Sequence, residues 1–492
     1  MLKSNEFAYM DAAKLSRMLH SKELSPVEVI EASIARIEVR NPSINAFVLT
    51  DFENARRLAK ISEKRLLRGE GGVMEGIPTA MKDLFDFYPT WPNTMGGIRC
   101  LKNRASANFN VYMERMVRAG AIPLGKTNSP TLGFRGTCDN FLFGPTRNPF
   151  NLAKNSGGSS GGAAAAVADG MVPLAEGTDG GGSIRIPAAW CNLFGYKAAL
   201  GTVPFICRPN AFGAINPFFF EMALTRTVED AAMTLNVIAG YHHADPFSMD
   251  VKCNFLDCLN GGIKGARIAY TSDFGIFPLE YEVKKRVEES VLVFQTLGAT
   301  VEEVDFGIRR THQEMSDVWC RLIVMSALDA VEGLRKEGID LINEHRNDLP
   351  PELIHWIEVG YQTTLKEYLF DQELRTEIFD AFQNIFAQYD FIVSPTLCCK
   401  PVDNNDDGNT LGPSIINGDS IDPLIGWCMT YFTNFTGHPS ASVPAGLTSD
   451  GLPVGMQVIG RRFDDIGLLR ACHEFECAQP WAGFYKIPDS RM

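Results

Sequence analysis

The chain has 492 residues, 46 Lys and Arg against 59 Asp and Glu, and a formal net charge of −13. With 45% apolar and 21% charged residues, it can bury a large core without staples, which excludes disorder as its main state. The acidic balance argues against a nucleic-acid partner, because phosphate binding needs a basic face, and leaves a small neutral substrate open.

The N-terminus, MLKSNEFAYM, carries no apolar core of the secretory type. Residues 9–48 predict helices. One opens at Ser25-Pro26, with the hydroxyl as N-cap and proline in the first turn, and Val27, Ile30, Ile34 and Ile37 recur at helical spacing. Asn54 to Arg68 predicts a charged amphipathic helix ending at a glycine-rich turn. Ile77 to Lys82 reads as a short strand with Lys82 at its end, Phe109 to Ala119 as a helix and Ala121 to Leu124 as a strand. Gly157-Gly158-Ser159-Ser160-Gly161-Gly162 then runs into Ala163–Ala168, a run of strong helix formers. A short strand at Pro173–Ala175 leads to a second glycine-rich loop, Gly177-Thr178-Asp179-Gly180-Gly181-Gly182-Ser183-Ile184-Arg185. Residues 280–390 predict mostly helix. Tyr389–Thr396, Ser440–Ala445 and Val454–Ile459 predict strands, and 401–420 a polar loop. Alternation of strand, helix and glycine loop assigns the chain to the α/β class. At ~150 residues per domain the length allows about three domains, or one large domain with insertions.

No stretch reaches the ~18–20 apolar residues of a membrane span; the most apolar, Ala211 to Leu224, is broken by Asn216, Pro217 and Glu221. Twelve scattered cysteines are too sparse for a disulfide scaffold and point to reduced thiols in a cytoplasm. There is no HExxH. Cys472, His473, Glu474 and Cys477 are better read as a helix face than as a zinc site, so no metal and no cofactor are expected.

Three patterns compete for the chemistry. Gly120 to Thr127 satisfies GxxxxGK[ST], yet a helix precedes it, a strand lies inside it, and Pro123 removes a donor from any phosphate cradle. Gly157 to Gly161 satisfies GxSxG, the nucleophile elbow of esterases of the α/β-hydrolase type, with Ser159 as nucleophile and His438 as the tempting base. The preceding Lys154-Asn155-Ser156 is a polar turn instead of a strand. The third reading joins both glycine loops. Three glycines before Ser183 let successive N–H groups converge on one spot, as an oxyanion hole requires. A serine there needs a base. Lys82 can serve in its neutral form, which burial away from carboxylates favours, with Ser159 passing the proton.

Together the loops resemble the amidase signature family. Gly157 to Ala188 follows its pattern of glycine–serine loop, small-residue helix and GTDxGGSIRxPA-like loop, and the interval between Ser159 and Ser183 matches. Gly76 to Asp83 resembles its GIPxxxKD segment. The likeness continues through Gly120–Asn128, Phe143–Pro149 and Phe435–Ile459 and is weak only over about 240–390. The resemblance implies one domain over 1–492, with a large mixed central sheet covered by helices on both faces. Its core is 70–235 and 388–475, and a mostly helical insertion spans about 240–388. It implies Ser183 as nucleophile, Ser159 as bridging serine after a cis peptide bond, and Lys82 as base and later acid. The amides of Gly180, Gly181, Gly182 and Ser183 would form the oxyanion hole. Ser160, Asp179 and Arg185 would support the loop, and Thr137 would line the acyl pocket.

The implied reaction is hydrolysis of a linear, cyclic or aryl amide to acid and amine, or ammonia, through an acyl-enzyme. No cofactor, metal, nucleic acid or membrane is required, and a homodimer is compatible. The rival role inside the family is the glutaminase subunit of the tRNA-dependent amidotransferase. That subunit carries an MDEFAMGSS-like segment after KTN, where this chain has Ser129 to Thr137 without such an acid, which favours a stand-alone amidase. Two departures stand out. Gly180 replaces the family's usual Thr or Ser. Asn216-Pro217-Phe218-Phe219-Phe220 replaces a Gly-Pro-containing stretch, and its phenylalanines, like Trp91, fit either a specificity pocket or the core.

Overall fold

The computed structural model describes residues 7–85, 87–105 and 109–485; the first six residues of the N-terminal segment considered above lie outside them. Eight strands form the central sheet. In order across it they are Thr300–Glu303, Arg267–Tyr270, Phe391–Pro395, Pro453–Gly460, Ser440–Leu447, Phe194–Lys197, Phe220–Thr225 and Leu174–Asp179. The first three are parallel and every later pair is antiparallel. Helices Arg185–Trp190, Tyr281–Thr296 and Asp465–Ala478 pack against the Ser440–Leu447 and Pro453–Gly460 hairpin. A strand covered on both faces needs no polar alternation, and Pro453–Gly460, Phe220–Thr225 and Leu174–Asp179 are buried at every residue.

A second sheet carries the lysine. Ile122–Thr127 is its middle strand, antiparallel to Phe47–Thr50 and parallel to Pro78–Lys82. The expected strand at Ala121–Leu124 therefore runs on to Thr127, where it pairs with Lys82. Between the sheets lies Gly161–Ala168, a helix buried on every side. Small residues permit this: a Cβ on Gly161 would stand 2.3 Å from that of Cys138, and one on Gly162 2.3 Å from the Asn128 nitrogen.

The N-terminal helices are Ala12–His20 and Pro26–Ile44, the latter with a Ser25–Glu28 capping box and Pro26 in its first turn. The helix stops earlier than 48. Asn45 adopts a left-handed conformation (φ 58°), and the Asn41 side-chain oxygen accepts from the Ala46 and Phe47 amides at 2.8 Å. These bonds compete with helix continuation and release Phe47–Thr50 as a strand. The 240–388 stretch holds the helices Tyr281–Thr296, His312–Lys336, Pro351–Gln362 and Leu365–Phe386. It also supplies Arg267–Tyr270 and Thr300–Glu303 to one edge of the main sheet, so it is woven into the frame. All twelve cysteines are free. Among the described residues no helix is long and apolar enough to cross a membrane.

Candidate active site

Lys82 ends its strand with a fully buried side chain. Its Nζ lies 2.7 Å from Ser159 Oγ, 2.8 Å from Thr178 Oγ1 and 3.0 Å from Ser160 Oγ. Three hydroxyls from two glycine loops thus meet one amine. A carboxylate does stand beside the lysine's backbone: buried Glu176 accepts the Lys82 backbone N–H at 2.6 Å. The neighbouring Asp83 is taken up elsewhere, by Lys126 at 3.1 Å.

The peptide bond between Gly158 and Ser159 is cis. Ser160 occupies the N-cap position of Gly161–Ala168 without capping it. Its hydroxyl is used by Lys82, by the Thr178 amide at 3.2 Å and by the Thr178 carbonyl at 3.3 Å. The helix start and the end of Leu174–Asp179 are thereby tied together.

The second loop is held by a buried ion pair. Arg185 donates Nε and Nη2 to Asp179 at 2.9 and 2.8 Å, both side chains fully buried. Burial alone would raise the Asp179 carboxyl. The Arg185 charge and hydrogen bonds, with Lys197 and Asn434, hold it below the usual range instead. Arg185 is saturated by the Thr430 carbonyl, Thr433 Oγ1, Gln457 Oε1 and Asn434 Oδ1 at 2.7–2.8 Å. A buried charge of this kind is tolerated only when its partners are complete.

This network sorts the loop amides. Gly182 N–H donates to Asp179 Oδ1 at 2.7 Å and Ile184 N–H to Asp179 Oδ2 at 3.3 Å. Gly182 is therefore withdrawn from the expected set of oxyanion donors. In a trans peptide the C=O of one residue and the N–H of the next point in opposite directions. Trp319 Nε1 donates to the Gly180 carbonyl at 3.0 Å, which turns Gly181 N–H away from the indole. Ile186 N–H donates to the Gly182 carbonyl at 2.6 Å, which turns Ser183 N–H away from the helix Arg185–Trp190. Among the described residues the hydrogen bonds of the loop use neither of these two amides.

Ser159, Thr178, Gly180, Gly181 and Ser183 share the wall of one cleft of about 610 Å³ including its open mouth. The rest of the wall is apolar apart from Cys320 and Ser326. Leu84, Phe85, Leu132, Phe134 and Phe219 come from the part of the chain around the two glycine loops, and Trp319, Ile323, Val324, Leu353 and Trp356 from the 240–388 stretch. No hydrogen bond joins the Ser159 and Ser183 hydroxyls among the described residues; they are related by this shared wall.

Several expectations are corrected. Thr137 does not line the cleft. Its hydroxyl donates to the Thr410 carbonyl at 2.6 Å, and its backbone packs where a Gly158 side chain would be, so it braces the cis loop. The three phenylalanines divide: Phe219 faces the cleft, Phe220 lies under Lys197 and Phe218 under Arg375. Trp91 is core, its ring tilted against that of Tyr88 with centroids 4.3 Å apart and its N–H donating to Asp51 at 2.9 Å. His438 cannot serve an elbow at Ser159. It is buried among Phe379, Phe382 and Phe386, with its ring nitrogens on Thr436 and Gln383. Lys126 of the GxxxxGK[ST] pattern is a buried strand residue in an ion pair. Thr178, Trp319, Trp356, Thr430 and Asn434 were missed. Thr178 stood in view, two residues before Gly180; the others are brought in by tertiary folding and carried no signal.

A family model described as Amidase matches residues 28–469. An acylamidase from Rhodococcus erythropolis is 34% identical over 482 residues, 96% of each chain. A glutamyl-tRNA(Gln) amidotransferase subunit from Carboxydothermus hydrogenoformans is 32% identical over 497 residues, 96% of this chain and 97% of its own. Among solved structures, a bacterial aryl acylamidase of the amidase signature family superimposes with a TM-score of 0.95 at 49% identity over 98% of both chains. A 6-aminohexanoate cyclic dimer hydrolase reaches 0.86 at 26%, over 98% and 99%.

Proposed function

Because the chain belongs to the amidase family and hydrolyses carboxylic amides, we propose that it does so through an acyl-enzyme on Ser183, with Lys82 as base and Ser159 as relay. The observation that carries this is the buried Lys82 amine 2.7 Å from Ser159 Oγ, on the cleft that also holds Ser183. Neutral Lys82 accepts the Ser159 proton as Ser159 takes that of Ser183. Ser183 Oγ attacks the amide carbon, and the carbonyl electrons move onto oxygen. Gly181 N–H and Ser183 N–H, with Gly180 N–H, hold that oxyanion. The C–N bond breaks as the proton on Lys82 returns through Ser159 to the leaving nitrogen. Water then cleaves the acyl ester by the same relay. Ser160, Asp179 and Arg185 keep the donors in place.

The substrate proposed is an amide carrying an aryl or bulky apolar group. The aromatic wall of Phe85, Phe134, Phe219, Trp319 and Trp356 supports this, as does the 49% identity to an aryl acylamidase. Greater likeness to stand-alone amidases than to the amidotransferase protein supports action without partner subunits. Twelve free cysteines support a reducing, cytoplasmic setting.

A panel of anilides, short aliphatic amides, cyclic dipeptide-like amides and glutamine tests the substrate, with anilides expected fastest. A fluorophosphonate probe tests the nucleophile. Labelling is expected to vanish in Ser183→Ala. Labelling that survives Ser183→Ala and vanishes in Ser159→Ala overturns the assignment.

A further inference from the structure

We propose that Trp319 is a positioning residue for amide hydrolysis: by holding the Gly180 carbonyl it aims the Gly181 amide at the substrate oxygen, coupling the substrate wall to the oxyanion loop. The inference rests on the Ser183 reading above. Trp319 belongs to the stretch where the family likeness is weakest, on helix His312–Lys336. It is 3% exposed. Its ring lines the cleft while its Nε1–H donates to the Gly180 carbonyl at 3.0 Å.

The loop is shaped to that ring. A Cβ on Gly181 would stand 2.5 Å from Trp319 Nε1 and 2.6 Å from Cε2. One on Gly180 would stand 2.7 Å from Phe219 Cε1 and 3.3 Å from Ile323 Cδ1, and Ile323 lies one helical turn beyond Trp319. Glycine at 180, in place of the usual Thr or Ser, thus makes room for the rings that build the apolar wall. Two consecutive glycines are also the easiest place for a peptide plane to rotate. Four groups pin the three glycines: Asp179 at the Gly182 amide, Ile186 N–H at the Gly182 carbonyl, Thr430 at the Gly181 carbonyl and Trp319 at the Gly180 carbonyl. Among the described residues only the last fixes the peptide that carries the Gly181 donor. An oxyanion donor works when it is aimed beforehand at where charge develops, so an unpinned peptide loses transition-state binding while the ground state is held by the apolar wall.

Trp319→Phe keeps an aromatic wall and removes the donor. kcat is expected to fall about 10-fold on both an anilide and a short aliphatic amide, short of the roughly 10²–10³-fold of losing a donor outright. KM stays within about twofold, the signature of an interaction made only in the transition state. The inhibition constant of a trifluoromethyl ketone, whose adduct carries the oxyanion, rises in parallel, while that of the carboxylate product does not move. Trp319→His retains an N–H donor and is expected to recover part of kcat; a kcat no better than that of the Phe variant overturns the proposal. A raised KM with unchanged kcat and unchanged trifluoromethyl ketone affinity in Trp319→Phe also overturns it, leaving the indole as wall alone. Ser183→Ala separates the two readings: residual turnover there defeats the nucleophile assignment, whereas its loss beside a normal Trp319→Phe kcat defeats only this inference.

Discussion

Replacing Lys82 by methionine tests the relay with little change in buried volume. Lys82 Nζ is the single hydrogen-bond partner of Ser159 Oγ and of Thr178 Oγ1 among the described residues, whereas Ser160 Oγ keeps its two bonds to Thr178. Two hydroxyls therefore lose their partner. At about 0.5–1.5 kcal/mol net each, folding stability drops by about 1–3 kcal/mol, which a domain with this much buried sheet survives. The catalytic loss is larger. A positioned acid–base contributes about 10²–10⁴-fold, or about 2.7–5.4 kcal/mol of barrier at 1.36 kcal/mol per decade. The upper half is expected, because the same amine serves both the attack and the departure of the amine. Steady-state hydrolysis of an anilide at several pH values reads the effect, with the thermal midpoint as control. Wild-type kcat/KM should fall on acidification as the amine takes up its proton, and the acid limb should vanish in Lys82→Met. Turnover within about threefold of wild type, or a wild-type rate flat from about pH 5 to 9 with chemistry rate-limiting, would refute the relay.

Arg185→Met leaves Asp179 buried without its cation and should cost about 3–5 kcal/mol in denaturant unfolding; a loss under about 1 kcal/mol would contradict the network described. Gly182→Ala should abolish turnover more completely than Gly180→Ala. Gly182 has φ +126° and its Cβ would overlap Thr430 Oγ1 at 2.0 Å, while the Gly180 Cβ meets the movable edge of Phe219; equal activities would count against this ordering. Burial, with the charges of Lys197 and Arg462, holds His438 down at about 3. The folded state thus binds fewer protons than the unfolded one between there and 6.5, and stability should fall on acidification through that window. The ceiling is about 4–5 kcal/mol at 1.4 kcal/mol per unit, and His438→Gln should flatten the slope of the urea midpoint against pH. Glu476 behaves oppositely. Burial and neighbouring carboxylates raise it to about 8, so its contribution is full below the ordinary value of 4.5 and is lost as pH climbs to 8; Glu476→Gln should remove that alkaline loss.

The sequence by itself determined what is local. Ser25-Pro26 with Glu28 specifies a helix start because the groups that cap it are three residues apart. The run Gly161 to Ala168 specifies a helix that can be buried all round because nothing in it is larger than valine. Lys82, Ser159 and Ser183 could be singled out because Gly76–Asp83 and the two glycine loops follow one pattern, with Gly180 as its departure, and the structure then brings the Lys82 strand end against the Ser159 loop. Tertiary structure alone decided which groups of the glycine loop are taken up by hydrogen bonds. Gly180, Gly181 and Gly182 are indistinguishable as letters. They are sorted by carbonyl and carboxylate partners at Trp319, Thr430 and Asp179, two of which lie more than a hundred residues away. The apolar wall was likewise hidden: Trp319, Ile323 and Trp356 sit in helices whose periodicity reads as ordinary core. Periodicity reports that a side chain is buried. What it is buried against depends on chain crossings that no local pattern encodes.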